Sequence, residues 1–159
     1  LVKLKKTDSI KIQKQKYKIK IFENTLDGSE NFALVKGKIS PHKNFRVRVI
    51  SSNLVQNYLM GKKFPDLFNK TIKYFKNFNN CVLVFIKDTN LKSVTQTLTA
   101  YKHNKSLKKS DQMIRNYGIG AQIIKSLNIK NMILVTRSPK KVVSLEGFGL
   151  KIIRQEIIK

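Results

Sequence analysis

Few side chains in this sequence could form a metal centre or an activated nucleophile. The chain contains one cysteine, Cys81, and two histidines, His42 and His103. Cys81 begins a continuous apolar run that predicts a buried strand, and a cysteine in such a strand behaves as a small apolar residue. A catalytic zinc ion needs three protein ligands, and two histidines far apart in the chain do not supply them. We therefore expect no metal site from these residues.

Two arginines share one predicted strand. Residues 45–51 alternate between apolar and charged side chains. Because successive side chains of a strand point to opposite faces, Arg46 and Arg48 are expected on one face and the apolar residues between them on the other. The strand therefore brings two guanidinium groups to the same side of a sheet.

The charge of the chain is strongly positive. The 159 residues include 33 Lys and Arg against nine Asp and Glu, which gives a net charge of +24. Such a charge attracts phosphate groups through counterion release. However, lysines occur in nearly every segment and only five of the basic residues are arginine, whereas a nucleic-acid-binding surface concentrates arginine and aromatic residues. We therefore expect a solvated lysine coat and no nucleic-acid partner.

Length and patterning predict one domain. A chain of this size supports one ordinary hydrophobic core, and residues 1–16, which are rich in lysine, are expected to be a basic linker from an upstream domain, with the domain itself at 17–159. The longest apolar run, 82–86, is too short to cross a bilayer, and residues 1–20 lack the apolar core of a signal peptide. We expect a cytoplasmic protein with no membrane partner and no intrachain disulfide.

The pattern of apolar residues predicts an α/β fold. An antiparallel hairpin is expected at 17–22 and 31–39, around a turn at 26–29. Further strands are expected at 45–51, 81–86, 132–135 and 150–153, and helices at 66–78, 91–101, from 121 onward, and at 138–145. Gly118 and Gly120 are expected in a loop, because each costs about 1 kcal/mol relative to alanine inside a helix. The prediction is a mixed β-sheet flanked by helices, antiparallel at the N-terminus and at least partly parallel afterwards.

Several ordered blocks resemble one enzyme family. Residues 115–123, R-N-Y-G-I-G-A-Q-I, resemble the R-D-Y-G-I-G-A-Q-I segment of the GTP cyclohydrolase II family of riboflavin biosynthesis. Residues 136–141 and 145–150 resemble its T-N-N-P-K-K and L-E-G-Y-G-L blocks at compatible spacing. Upstream, residues 32–40 resemble its H-V-A-L-V-x-G-x-I-S hairpin, 48–51 the start of its R-V-H-S-E-C block, and 100–101 its R-A-Y. Matches in the right order carry more weight than any single block.

The resemblance implies a fold, a reaction and a set of site residues. The family opens the guanine imidazole ring of GTP and releases formate and pyrophosphate, with a cysteine-bound zinc ion that activates water and with magnesium as a second cofactor. Arg115 matches the arginine proposed as a nucleophile toward the α-phosphorus. The positions that match nucleotide-contacting residues are Arg48, Ser51, Tyr101, Thr136 and Lys141. A guanidinium, a hydroxyl, a lysine and a helix N-terminus would together suit a phosphate.

The sequence departs from the family where the chemistry takes place. Residues 50–65, which match the segment that carries the three zinc cysteines, contain no cysteine and no histidine. The family's Gln-Glu-Gly-Arg run is replaced by residues 87–90, K-D-T-N, and its acidic proton acceptor by Met113, which cannot accept a proton. We therefore expect no cofactor.

The expected function is a family domain without zinc or ring-opening activity. It would have a structural or nucleotide-sensing role beside an upstream dihydroxybutanone phosphate synthase domain. GTP or another phosphate compound is the expected ligand, and the resemblance leaves room for a homodimer. Two alternatives stay open: an active GTP cyclohydrolase II that yields a diaminopyrimidine product, formate and pyrophosphate, and a basic nucleic-acid-binding domain.

Overall fold

The computed structural model describes residues 1–52, 64–87, 95, 98, 111–137 and 148–158. Within these residues the chain forms seven strands and two helices of more than one turn. The strands are β1 (Val2–Ile12), β2 (Gln15–Asn24), β3 (Glu30–Lys36), β4 (Phe45–Ser52), β5 (Cys81–Lys87), β6 (Asn131–Thr136) and β7 (Lys151–Ile157), and the helices are α1 (Phe64–Phe75) and α2 (Asp111–Ser126).

All seven strands form one mixed sheet. Their order is β1-β2-β3-β5-β4-β6-β7. The pairs β1/β2, β2/β3 and β3/β5 are antiparallel, whereas β5/β4, β4/β6 and β6/β7 are parallel. The predicted α/β class and the change from antiparallel to parallel strands are confirmed.

The N-terminal segment belongs to the sheet and is not a free linker. We expected residues 1–16 to connect two domains, but β1 pairs with β2 from Val2 to Ile12, with one register shift between Leu4 and Lys6. Two half-buried residues at its ends, Val2 and Ile12, pack against the two cores of the domain. The lysines between them lie in solvent, so their mutual repulsion does not prevent the backbone from pairing. An upstream domain stays a prediction.

Both faces of the parallel strands are buried. One face, the α2 face, packs against α2 through residues such as Val47, Val84 and Leu134. The opposite face, the α1 face, packs against α1 through residues such as Ile50 and Leu83. Continuous apolar strands such as β5 are therefore covered on two sides, as expected for parallel strands connected by helices.

Helix α2 is longer than the sequence predicts. It begins at Asp111, so Gly118 and Gly120 lie inside it and not in a loop. A Cβ atom at Gly120 would lie 3.4 Å from a methyl group of Val49. The small residue thus lets the helix approach β4 closely, and this packing offsets the intrinsic cost of glycine in a helix.

Other predicted boundaries shift or fall elsewhere. Helix α1 spans Phe64–Phe75, a few residues earlier than expected. The predicted helices at 91–101 and 138–145 lie outside the described residues, apart from residues 95 and 98, which are helical. Among the described residues, no helix is both long and apolar enough to cross a bilayer.

Candidate functional site

The parallel strands change their direction of connection between β4 and β6. These two strands are neighbours. In chain order, β4 leads through α1 to β5 on one side, whereas β6 leads to β7 on the other side. In open α/β sheets, ligands bind in the crevice at the carboxyl ends of two such strands. The topology therefore places the candidate site at the ends of β4 and β6.

The pairing of β4 with β6 ends just below this crevice, and the side chain of Arg48 follows directly after the last pair. The last paired residues are Val47 and Leu134. One residue further on, Arg48 lies on the α1 face with only 7% of its surface exposed. Its Nη1 donates a hydrogen bond of 3.4 Å to the carbonyl oxygen of Val135. The guanidinium therefore sits where the two strands stop pairing.

A small cavity opens beside Arg48 on the α1 face. Its interior is about 10 Å³, room for about one water molecule, and the figure rises to about 210 Å³ only when the open space at its mouth is included. Its lining comes from β4, from α1 and from the ends of β6 and β7: Arg48, Leu67, Lys70, Thr71, Arg137 and Ile158. Three of these six residues are cationic and none is acidic. A guanidinium at the base and two further cations around it suit an anion such as phosphate at the open mouth of the cavity.

Two further predicted residues, Thr136 and Ser51, lie on the α2 face. Thr136 ends β6 with the same orientation as Leu134, and its side chain is buried. Among the described residues, no hydrogen-bond partner reaches the Thr136 hydroxyl, whereas its carbonyl accepts a 2.8 Å bond from the Ile158 amide. Ser51 is exposed near the end of β4 on the same face. Ser51 and Thr136 therefore lie on the same face of the sheet, and Arg48 lies on the opposite face.

The backbone position of Arg115 is on the same side as Ser51. Helix α2 contacts β4 at Gly120 and Val49. Arg115 precedes Gly120 by five residues, which is about 7.5 Å along the helix axis. Ser51 follows Val49 by two residues, which is about 6.6 Å along the strand. Since α2 precedes a parallel strand and runs against it, both displacements point toward the carboxyl ends.

Two predicted residues cannot be placed. Tyr101 and Lys141 lie outside the described residues, as does the side chain of Arg115. Their assignment to a nucleotide site stays a prediction.

Comparison with known proteins gives the family. A sequence model of the GTP cyclohydrolase II family matches residues 4–157. The chain belongs to the GTP cyclohydrolase II family. It is 29% identical to the riboflavin biosynthesis protein RibBA of Aquifex aeolicus over 90% of this chain and 38% of that protein. It is 28% identical to the monofunctional riboflavin biosynthesis protein RIBA 2, chloroplastic, of Arabidopsis thaliana over 86% of this chain and 30% of that protein.

A solved structure supports the fold. The protein resembles RibBX, a two-domain 3,4-dihydroxy-2-butanone 4-phosphate synthase from A. baumannii, with a TM-score of 0.55 and 21% sequence identity. The match covers 99% of this chain and 40% of that one. The chain therefore spans well under half the length of these relatives, and the predicted family and fold are confirmed.

The one cysteine of this GTP cyclohydrolase II family member lies in the core. Cys81 is fully buried on the α1 face, and burial raises the pKa of its thiol to about 12. The thiolate is the form that binds metal, and burial disfavours that form. His42 is exposed in the turn before β4, and the described residues contain no group of three His, Cys, Asp or Glu side chains that could hold a metal ion.

The other arginine of β4, Arg46, belongs to a structural cluster. Arg46 forms a two-pronged ion pair with Glu156 of β7, with contacts of 2.8 and 3.3 Å. Its guanidinium carbon lies 3.5 Å from the ring centre of Phe78. The Tyr74 hydroxyl donates to the same carboxylate, and hydrogen bonding from Arg46 is the main reason that the Glu156 pKa falls to about 2. Arg46 therefore links α1, β4 and β7 and does not line the cavity.

Sequence reasoning missed the two outer cations of the cavity. Lys70 lies on the exposed side of α1 and resembles any other lysine of the coat. The sequence indicated a site role for Arg137 only weakly, through its position just after the end of a predicted strand. Only the packing of α1 beside the ends of β6 and β7 brings Lys70 and Arg137 to Arg48.

Proposed function

We propose that this GTP cyclohydrolase II family domain of riboflavin biosynthesis has lost its zinc ion and its ring-opening activity. It would bind a phosphate-bearing ligand, with GTP as the first candidate. Its role would be structural or nucleotide-sensing, beside a dihydroxybutanone phosphate synthase domain.

One observation carries the loss of chemistry: the chain has a single cysteine, and it is buried. Three protein ligands are needed to hold a catalytic zinc ion with an open position for water. Cys81 sits in the core with a raised pKa, and the segment that resembles the family's ligand-bearing stretch has neither cysteine nor histidine. The described residues do not fit a cysteine zinc site. Without the metal, the pKa of the attacking water is not lowered.

The cavity supports retained anion binding. It combines Arg48, Lys70 and Arg137 at the place in the sheet where α/β proteins bind ligands. Across the sheet, the buried Thr136 hydroxyl has no partner among the described residues and could accept or donate a hydrogen bond to a ligand that reaches the end of β6. A ligand with an anionic group and further polar groups, such as a nucleotide, would pair with the cations on one face and with the Thr136 hydroxyl on the other.

The similarity to two-domain proteins supports the proposed neighbour. RibBX is described as a two-domain 3,4-dihydroxy-2-butanone 4-phosphate synthase, and this chain matches 40% of it. One plant relative is named monofunctional and another bifunctional. Proteins with a matching region therefore include both kinds, which is consistent with a family domain that keeps its scaffold without one of the activities. A homodimer stays a prediction.

Titration calorimetry with GTP, with and without zinc, tests the proposal together with a formate assay on the same sample. We expect GTP to bind, no formate to appear, and zinc to change neither result. K70Q and R137Q should each weaken binding about tenfold, because each removes a charge-assisted contact. Lys73 lies in the same helix but outside the cavity lining, so K73Q is the matched control and should bind as the unmodified protein does.

The alternatives predict other results. Zinc-dependent formate release would show an active cyclohydrolase and would overturn the loss of chemistry. If neither GTP nor pyrophosphate binds, the cavity does not hold an anion and only the structural role is left.

A further inference from the structure

The hairpin of β1 and β2 gathers lysines on one side. In its antiparallel register, Lys11 lies opposite Lys16, Ser9 opposite Lys18, and Thr7 opposite Lys20. Residues directly opposite each other in an antiparallel pair share a face. We call this surface the lysine face; it consists of Thr7, Ser9, Lys11, Lys16, Lys18 and Lys20.

The lysine face is open to solvent and has one sign of charge. Five of its six residues are exposed, and Lys20 is half-buried. The acidic residue of this part of β1, Asp8, alternates to the other face, where it lies opposite Ile19. Lys11 and Lys16 stand directly opposite each other, and like charges in that position are destabilising. An anionic partner would relieve this repulsion.

The sequence is rich in lysine in this region, but only the pairing of β1 with β2 brings four of these lysines to one face. Alternate residues of a strand are about 6.8 Å apart, so Lys16, Lys18 and Lys20 form a regular row. Regular cationic spacing suits a polymer with repeating negative charge. The face has no aromatic or large aliphatic residue, which a protein interface would need as an anchor.

We propose that the lysine face binds the phosphate backbone of nucleic acid without sequence preference. It has no arginine and no aromatic ring, so it lacks the groups that read base edges or stack on bases. The face belongs to the first two strands of the sheet, whereas the cavity beside Arg48 lies at the ends of β4 and β6 on the α1 face. The proposal is therefore independent of GTP binding.

Fluorescence anisotropy with a labelled 30-base-pair duplex of mixed sequence tests it across a salt series. The variant carries K11Q, K16Q, K18Q and K20Q. The matched control carries K38Q, K76Q, K130Q and K151Q, four exposed lysines scattered over other elements. Both changes reduce the net charge from +24 by four, to +20.

The two variants should behave differently. Each phosphate contact contributes about 0.9 to the slope of log affinity against log salt. Loss of four contacts should therefore reduce the slope by about 3 to 4, and the affinity at physiological salt by at least about tenfold, in the lysine-face variant alone. Circular dichroism should show native folding, with the melting temperature unchanged or raised because a like-charge pair is gone.

Two outcomes would overturn the proposal. If both variants lose affinity and slope equally, binding reflects the overall charge of the lysine coat and no particular surface. If polyglutamate at the same concentration of charges displaces the duplex completely, the face binds acidic chains in general and has no preference for nucleic acid.

Discussion

Two arginines in one strand have different tasks because of the residues that the fold places beside them. Arg46 and Arg48 point to the same face of β4, as their spacing predicts. Arg46 meets Glu156 and the ring of Phe78, whereas Arg48 meets the Val135 carbonyl and the cavity. A family motif that retains Arg48 therefore retains the arginine at the crevice.

The Glu156 cluster should make the protein sensitive to acid. The pKa of Glu156 in the folded protein is about 2, against an ordinary value of 4.5. The contribution of this carboxylate to stability is therefore fully present above pH 4.5 and is lost as the pH falls toward 2. Allowing for solvent screening, we expect about 1–2 kcal/mol of unfolding free energy to disappear over that window. Urea titrations at several pH values should show this loss in the unmodified protein, and E156Q should lack it.

A second carboxylate serves as control for this experiment. Glu30 pairs with Lys5 at 3.2 Å, but both side chains are more than half exposed, and exposed ion pairs contribute little. E30Q should therefore keep the acid sensitivity of the unmodified protein. If E30Q and E156Q flatten the pH dependence equally, general charge repulsion and not the Arg46 contact controls acid stability.

The buried thiol of Cys81 should be inert in the folded protein. Its side chain is inaccessible and its pKa is raised to about 12, so a thiolate-directed reagent such as DTNB finds neither access nor nucleophile. We expect no reaction in buffer, one equivalent in denaturant, and the same two results after zinc is added. Stoichiometric zinc uptake by the native protein would contradict both this prediction and the proposed loss of the metal.

At the scale of elements, alternation and apolar runs were good guides where local and tertiary preferences agree. Strands β4 and β5 begin where the pattern predicts. Helix α2 differs because its two glycines oppose helix formation locally, and only the close contact of Gly120 with Val49 favours it. Strand β1 differs because repulsion between lysines suggests a free chain, whereas backbone pairing with β2 determines the outcome.

The candidate site, too, could be predicted from the sequence only in part. The sequence placed Arg48 within a strand, Ser51 at the end of that strand and Thr136 directly after another, because motif residues and strand boundaries can be read along the chain. It could not place Lys70 beside them, since a helix position reaches the cavity only through the packing of α1 on the sheet. It also could not show that Arg48 and Thr136 lie on opposite faces until the orientations of β4 and β6 were both known.

The two helical glycines of α2 should respond differently to substitution. No atom lies within 4 Å of a Cβ built at Gly118, whereas a Cβ at Gly120 would already contact Val49. G118A should raise the free energy of unfolding by about 0.5–1 kcal/mol, because alanine favours the helix. G120L should lower it by about 1–3 kcal/mol, because a larger side chain overpacks the α2 face. Denaturant midpoints measure both changes, and stabilisation by G120L would contradict the close contact.

For the whole molecule, the two candidate surfaces lie on different strands of the sheet, with β3 and β5 between them. Ligand binding is expected near the centre of the sheet, where β4 and β6 stop pairing beside Arg48. The antiparallel strands at one edge carry the lysine face instead. A domain that loses its central chemistry can thus keep its fold and a separate surface, since each depends on different strands.

The first strand should prove to be an integral part of the domain. β1 pairs with β2 from end to end apart from one register shift, and its end residues Val2 and Ile12 pack on both cores. Deletion of residues 1–12 should therefore lower the free energy of unfolding by on the order of 2 kcal/mol, through loss of this burial. In the intact protein, amides of β1 should show alternating protection from hydrogen exchange, because an edge strand turns every second amide toward its neighbour. Uniformly fast exchange together with an unchanged denaturant midpoint after deletion would mean that the segment is a linker, as its lysine content alone suggests.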